Sequence, residues 1–144
     1  MNRGYAAIGL YMPKTEPNVG GALRAANCYG AALVAIQGKR FRSISSDTQK
    51  TWRHIPLLEV VNLRDVIPFD CQPICVEISD NARCLTTFTH PQRAFYIFGP
   101  EDGSIPKELT EKYMTIQVPT DFCMNLAATV NVVLYDRRAK QMRA

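Results

Sequence analysis

Nothing in the 144 residues forms a run of about 18 apolar side chains, so no stretch is a candidate to cross a membrane as a helix. Histidine occurs twice and tryptophan once, and no two cysteines have the two-residue spacing of a zinc knuckle or a redox pair. The five cysteines (Cys28, Cys71, Cys75, Cys84, Cys123) are odd in number and scattered, which speaks against a disulfide framework and for a reducing, cytoplasmic setting. Cys71 and Cys75 with His54 or His90 are one set that could be suggested as metal ligands; free buried cysteines are the ordinary reading, and no metal is expected. There is no internal repeat, low-complexity tract or linker. The opening MNRGYAAIGLYMPK runs at once into Pro13 and Lys14 with no small-residue cleavage site, so it reads as a first strand rather than a signal segment. Charge of neither sign dominates: 17 Lys and Arg against 13 Asp and Glu give +4, which permits a polyanionic partner without demanding one.

What is present fits a single domain over residues 1–144. A chain of this length buries roughly two thirds of its unfolded surface, enough to dispense with a stabilising metal or disulfide. Short apolar or β-branched runs at residues 5–12, 32–37, 73–79, 94–99 and 114–119 read as strands buried on both faces. Between them lie helical stretches at 18–29, about 47–53, 62–67, 105–112 and 124–142. That alternation predicts an α/β domain with a mostly parallel sheet, whose ligand site lies beyond the carboxyl ends of the strands.

Three segments fall where such a site belongs. In EPNVGGALRAANCYG, residues 16–30, two adjacent glycines interrupt an amphipathic helix, although each costs about 1 kcal/mol against alanine there. Close approach of another backbone or a ligand is the compensating reason to expect. Asn18 is placed to cap this helix, Val19, Leu23 and Ala26 form its apolar stripe, and Gly30 can end it. Gly20 and Arg24 share one face at i, i+4, which leaves Arg24 room for a large partner or leaves it simply solvated. In YIFGPEDGSIP, residues 96–106, a hydrophobic strand breaks at Gly99-Pro100 and exposes backbone groups beside Glu101, an arrangement that turn chemistry alone also explains. In IQVPTDFCMNLAATVNVVLYDRRAK, residues 116–140, a strand ending at Pro119 leads into a helix beginning near Asn125, with Leu126, Val130, Val133 and Leu134 facing the core. Arg137, Arg138, Lys140 and Arg143 gather at its end, either complementing the helix dipole or forming a phosphate-binding patch.

Together, in this order, the segments resemble the three motifs of the SpoU/TrmH branch of the SPOUT RNA methyltransferases. The first, Asn-x-Gly then three residues and Arg, is similar to Asn18-Val19-Gly20-Gly21-Ala22-Leu23-Arg24. The second resembles Phe98-Gly99-Pro100-Glu101 with Gly103 and Ile105-Pro106, and the third resembles Val118-Pro119 with Cys123-Met124-Asn125-Leu126. The resemblance implies a SPOUT α/β-knot fold: a mostly parallel sheet flanked by helices, with the C-terminal segment threaded into a trefoil knot, a feature that general connection rules would not predict. It implies S-adenosylmethionine as methyl donor, held by Glu77 and Ile78, by Phe98, Gly99, Pro100 and Glu101, and by Gln117, Val118, Cys123, Met124, Asn125 and Leu126. It implies a homodimer in which Arg24 reaches the methyl donor of the other subunit, with Asn18, Glu101 and Asn125 as the remaining catalytic residues. The activity implied is 2′-O-methylation of RNA ribose, with tRNA as the substrate, since small relatives without extra domains modify tRNA while longer ones act on other tRNA sites or ribosomal RNA.

One departure stands out. The family usually has Ser where Cys123 stands, and its third-motif loop is often longer than Thr120 to Phe122; a thiol is a weaker hydrogen-bond partner, so any contact from Cys123 is in question. Arg40, Arg42, Lys50, Arg53 and the tail basic residues are candidates for RNA phosphates, and Trp52 or His54 could stack a base. A catalytically silent RNA-binding relative, a ribosomal RNA methyltransferase and an unrelated small-molecule binding protein are the other readings.

Overall fold

The chain starts its order with strand β1 (Tyr5–Tyr11), and the computed structural model describes residues 4–42, 50 and 53–143. Helix α1 (Glu16–Cys28) and strand β2 (Leu33–Gln37) follow, then β3 (Leu57–Val60), a 3-10 turn at Leu63–Val66, β4 (Gln72–Val76) and the two-residue β5 (Arg83–Cys84). A second 3-10 turn (Leu85–Thr87), β6 (Arg93–Phe98), the short α2 (Lys107–Thr110), β7 (Met114–Gln117) and α3 (Leu126–Arg143) complete it. The seven strands form one sheet in the order β3-β2-β1-β6-β4-β7-β5, and every pairing is parallel. The α/β expectation holds. Among the described residues no helix is long and apolar enough to cross a membrane.

Alternation along the strands divides the core. In β1 and β6, Ile8, Leu10, Ala94, Tyr96 and Phe98 pack with α1 and α3 on one face, while Ala7, Phe95 and Ile97 pack with Leu63, Ile105 and Leu109 on the other. Both faces of the central strands are therefore sealed, as continuous apolar runs in parallel sheets require. Cys71 and Cys75 belong to the second face, whereas His90 lies under α3 on the first and His54 is exposed. That separation disposes of the metal set considered above, and among the described residues no cluster of three or more His, Cys, Asp or Glu could hold a metal ion.

Several boundaries differ from expectation. Helix α1 begins two residues early, with Thr15 rather than Asn18 at its N-cap position, because Pro17 suits the first turn and Glu101 anchors the Thr15 amide and hydroxyl just before it. The 62–67 segment is one 3-10 turn capped by Asn62, and the 105–112 helix shrinks to four residues. The edge strands β3 and β5 were not among the expected strands: β3 (LLEV) is only four residues long and half exposed, and β5 has two residues. Most of the 47–53 stretch lies outside the described residues, as does Trp52.

Helix α1 packs on α3, and this contact explains one glycine of the pair. A Cβ on Gly21 would stand 2.7 Å from the Cβ of Ala127, inside the closest approach real side chains make. The partner that the glycine admits is thus a helix of the same chain. Gly20 is buried as well, so it does not open the face beside Arg24 that i, i+4 spacing suggested.

The last strand is enclosed. Val76 at the end of β4 and Arg83 at the start of β5 both pair with Ile116, from opposite sides of β7. Residues 77–82 therefore arch across β7 at its carboxyl end, and the Gln117 side chain donates from Nε2 to the Ser79 and Ala82 carbonyls within that arch.

Candidate functional site

Beyond the carboxyl ends of β4, β6 and β7 lies a cleft of about 400 Å³, within the range of small-molecule sites. The arch at Glu77 and Ile78, the turn from Phe98 to Glu101, and the segment through Gln117, Val118, Cys123, Met124 and Leu126 all line it. Gly103 of the second motif and Thr120 of the third-motif loop line it too, as do Val76, Ser104 and Thr129, whose types gave no sign in the sequence. Asn125, Asn18 and Arg24 are not among the lining residues.

The turn after β6 depends on Gly99. A Cβ there would meet Ile105 Cγ1 at 3.1 Å and the Ile105 amide nitrogen at 3.2 Å, so the chain can double back over itself only where the side chain is missing. Ile105 is held in turn by the Glu77 carboxylate, whose Oε2 accepts its amide hydrogen at 2.6 Å. Burial raises the Glu77 pKa above the usual carboxylate value, and that hydrogen bond only partly offsets the effect.

Glu101 joins the first motif to the second. Its Oε1 accepts from the Lys14 amide at 3.1 Å, and its Oε2 accepts from the Thr15 amide (2.9 Å), the Thr15 hydroxyl (2.8 Å) and Asn18 Nδ2 (3.2 Å). Burial works against the charge, yet these donors outweigh it and hold the Glu101 carboxyl below the usual range. A carboxylate at a helix N-terminus also complements the dipole of α1. Asn18 reaches a third element: besides donating to Thr15 and Glu101, its Oδ1 accepts from the Ala127 amide at 3.4 Å in the first turn of α3. Asn125 caps that helix, its Oδ1 accepting from the Ala128 amide at 2.7 Å. Thr15 escaped the sequence reading because its partner lies 86 positions away.

Arg24 stands apart. It is exposed on α1, and no described residue of its own chain, Asn18 and Glu101 included, forms a hydrogen bond or ion pair with it. Several basic residues proposed for RNA are instead engaged within the chain. Arg137 is 5% exposed, and its guanidinium donates to the Pro91, Gln92 and Tyr5 carbonyls and to the Tyr96 hydroxyl. Lys140 donates to the Leu85 and Phe88 carbonyls and pairs with Asp136, and Arg138 lies over the Tyr29 ring. The tail is therefore not one patch of four: Arg137 is buried and Lys140 is held by carbonyls and Asp136, while Arg138 and Arg143 are exposed. Arg40 makes a two-point pair with Asp102 (2.6 and 3.0 Å) and donates to the Met12 carbonyl. Arg42, Lys50, Arg53 and His54 are exposed.

The lining has one further property. Glu77 and Glu101 contribute two carboxylates, and among the described residues no Lys, Arg or His lines the cleft.

A family model described as the SpoU rRNA methylase family matches residues 6–135. None of the curated proteins matches the sequence. Among solved structures, one that concerns 2-OH methylation of C/U34 on tRNA aligns over 98% of this chain and 99% of its own, at 19% identity and a TM-score of 0.85. The SpoU methyltransferase AviRb from Streptomyces viridochromogenes, solved in complex with the cofactor AdoMet, aligns over 100% of this chain and 63% of its own, at 13% identity and a TM-score of 0.85. An AdoMet-bound rRNA methyltransferase from Sinorhizobium meliloti aligns over 95% of this chain and 57% of its own, at 19% identity and a TM-score of 0.82.

Proposed function

Because the chain belongs to the SpoU rRNA methylase family, we propose that it methylates the ribose 2′-hydroxyl of RNA with S-adenosylmethionine as methyl donor, and that the RNA is a tRNA. The observation that carries this reading is that the second and third motif segments line one cleft, and that the first is bonded to both through Asn18, which donates to Glu101 and accepts from the Ala127 amide. The cleft fits the methyl donor in size and chemistry: apolar walls from Val76, Phe98 and Leu126, strand-end backbone groups for an adenine, and carboxylates compatible with positive charge. The relatives solved with AdoMet bound support the cofactor, and the tRNA-related structure, which this chain matches end to end, supports the substrate. Ribosomal RNA is the second reading, favoured by the family's own description and by the Sinorhizobium meliloti relative.

When bound, S-adenosylmethionine supplies an electrophilic methyl group on a sulfonium. The residues of this chain then have distinct tasks. Glu77, Ile78, Phe98 to Glu101, Gln117, Val118, Cys123, Met124 and Leu126 would hold it, with Asn125 fixing the start of α3 beside them. Asn18, Glu101 and Asn125 fix the turns around it through the bonds described above. Arg24 clamps the ribose hydroxyl and its phosphate by its charge and forked donors rather than acting as base. The proton leaves to phosphate or water, and orientation supplies roughly 7 to 11 kcal/mol of the barrier reduction.

We assign the working form as a homodimer, because Arg24 does not line the cleft of its own chain and Val132 and Tyr135 leave apolar surface exposed on α3 beside α1. The arch of residues 77–82 over β7 supports a threaded carboxyl segment, and five free cysteines support a reducing, cytoplasmic compartment.

Calorimetry with S-adenosylmethionine, followed by mass spectrometry of nucleosides from methylated tRNA and ribosomal RNA, tests the reading. No methyl-donor binding by folded protein would end it. Arg24→Ala is expected to bind the methyl donor within about twofold of the parent while losing 100-fold or more of the transfer rate, the scale of a lost charge-stabilising group.

A further inference from the structure

A cleft with two carboxylates and no basic side chain among its described lining residues is unexpected in a chain whose net charge is +4. The two carboxylates are not equivalent. Both oxygens of Glu101 are occupied by four donors from the start of α1, so its charge is spent on holding that helix. Glu77 gives one oxygen to the Ile105 amide, and its Oε1 accepts from no described residue. It lies at the end of β4, half-buried and lining the cleft, where a charge is screened less than at an open surface.

We propose that Glu77 makes the cleft select for the sulfonium charge, so that the spent methyl donor is held less tightly than the charged one; this rests on the methyl-transfer reading above. The chemistry supplies the contrast. In the transfer the ribose oxygen forms a bond to the methyl carbon and the carbon–sulfur bond breaks. Its electron pair stays on sulfur, and the hydroxyl proton leaves to solvent or phosphate. S-adenosylmethionine carries a net charge of about +1 at neutral pH and S-adenosylhomocysteine about zero, from the ordinary pKa values of their amino and carboxyl groups. An acidic cleft therefore loses its electrostatic hold at the moment the reaction is complete, which favours exchange of product for fresh methyl donor. The raised pKa of Glu77 agrees with a carboxylate whose charge lacks a compensating cation in the free protein.

The test is calorimetry of the full chain with S-adenosylmethionine and S-adenosylhomocysteine. Glu77→Gln keeps the acceptor for the Ile105 amide and the side-chain length while removing the charge; Glu77→Asp keeps the charge. The expected result is that Glu77→Gln lowers the ratio of methyl-donor to product affinity about tenfold, mostly through weaker S-adenosylmethionine binding, and that Glu77→Asp preserves the ratio. Equal loss for both ligands in Glu77→Gln, or an unchanged ratio, would reduce Glu77 to a structural acceptor and overturn the proposal. Those outcomes leave the methyl-transfer reading standing, whereas failure of the parent protein to bind either ligand removes both.

Discussion

Single residues decide how closely the parts of this site approach one another. Gly21 is the clearest case, because alanine there would gain roughly 1 kcal/mol of helix propensity but place its Cβ 2.7 Å from Ala127. The clash wins: Gly21→Ala is expected to destabilise the protein by about 1 to 3 kcal/mol in chemical denaturation, and Ala127→Gly in the same chain should recover most of that loss. Glu101 offers a second test through pH. Its folded pKa lies below the ordinary value, so it contributes stability that is fully present above the unfolded carboxylate pKa and lost as pH falls through the folded one. The melting temperature of Glu101→Gln should thus lie below that of the parent at pH 7 and converge with it as the solution is acidified towards pH 3.

At the level of elements, the last helix is fastened to the sheet by polar rather than apolar means at its carboxyl end. Arg137 gathers three carbonyls and the Tyr96 hydroxyl beneath α3, while His90 bridges Tyr96 (2.6 Å) and Asp136 (2.7 Å). Removing such a buried hub leaves several acceptors unpaired at once, so Arg137→Leu is expected to cost about 3 to 5 kcal/mol. Denaturant midpoints check this, and the residual folded protein should bind RNA as the parent does, since Arg137 has no surface to offer a phosphate. The sequence could not separate this role from a dipole-complementing or phosphate-binding one, because a helix end rich in arginine looks alike in all three. Burial was the missing quantity.

For the whole molecule, the separation of Arg24 from its own cleft makes a prediction about assembly. Arg24→Ala and a cleft-blocked variant such as Gly99→Val should each be inactive alone. Mixed and allowed to exchange subunits, they should recover up to about a quarter of the parent activity, because half of a random mixture is heterodimer and one of its two sites is intact. Absence of recovery, with exchange demonstrated by native mass spectrometry, would place the arginine in its own subunit's site.

The sequence by itself determined what local chemistry can encode: the alternation of apolar runs that makes a parallel α/β sheet, the helix that ends before Gly30, and the three short motifs that point to the carboxyl side of the strands. Their order along the chain carried the family. Tertiary structure alone decided that Thr15 and not Asn18 sits at the N-cap, that Gly21 faces Ala127, that Arg40 answers Asp102 and that Arg137 is buried. Each of these depends on a partner 28 to 132 positions away or on a neighbouring helix, and such pairings leave no periodic trace in either segment. A side chain's type sets what it can bond to, and only the fold sets what it meets.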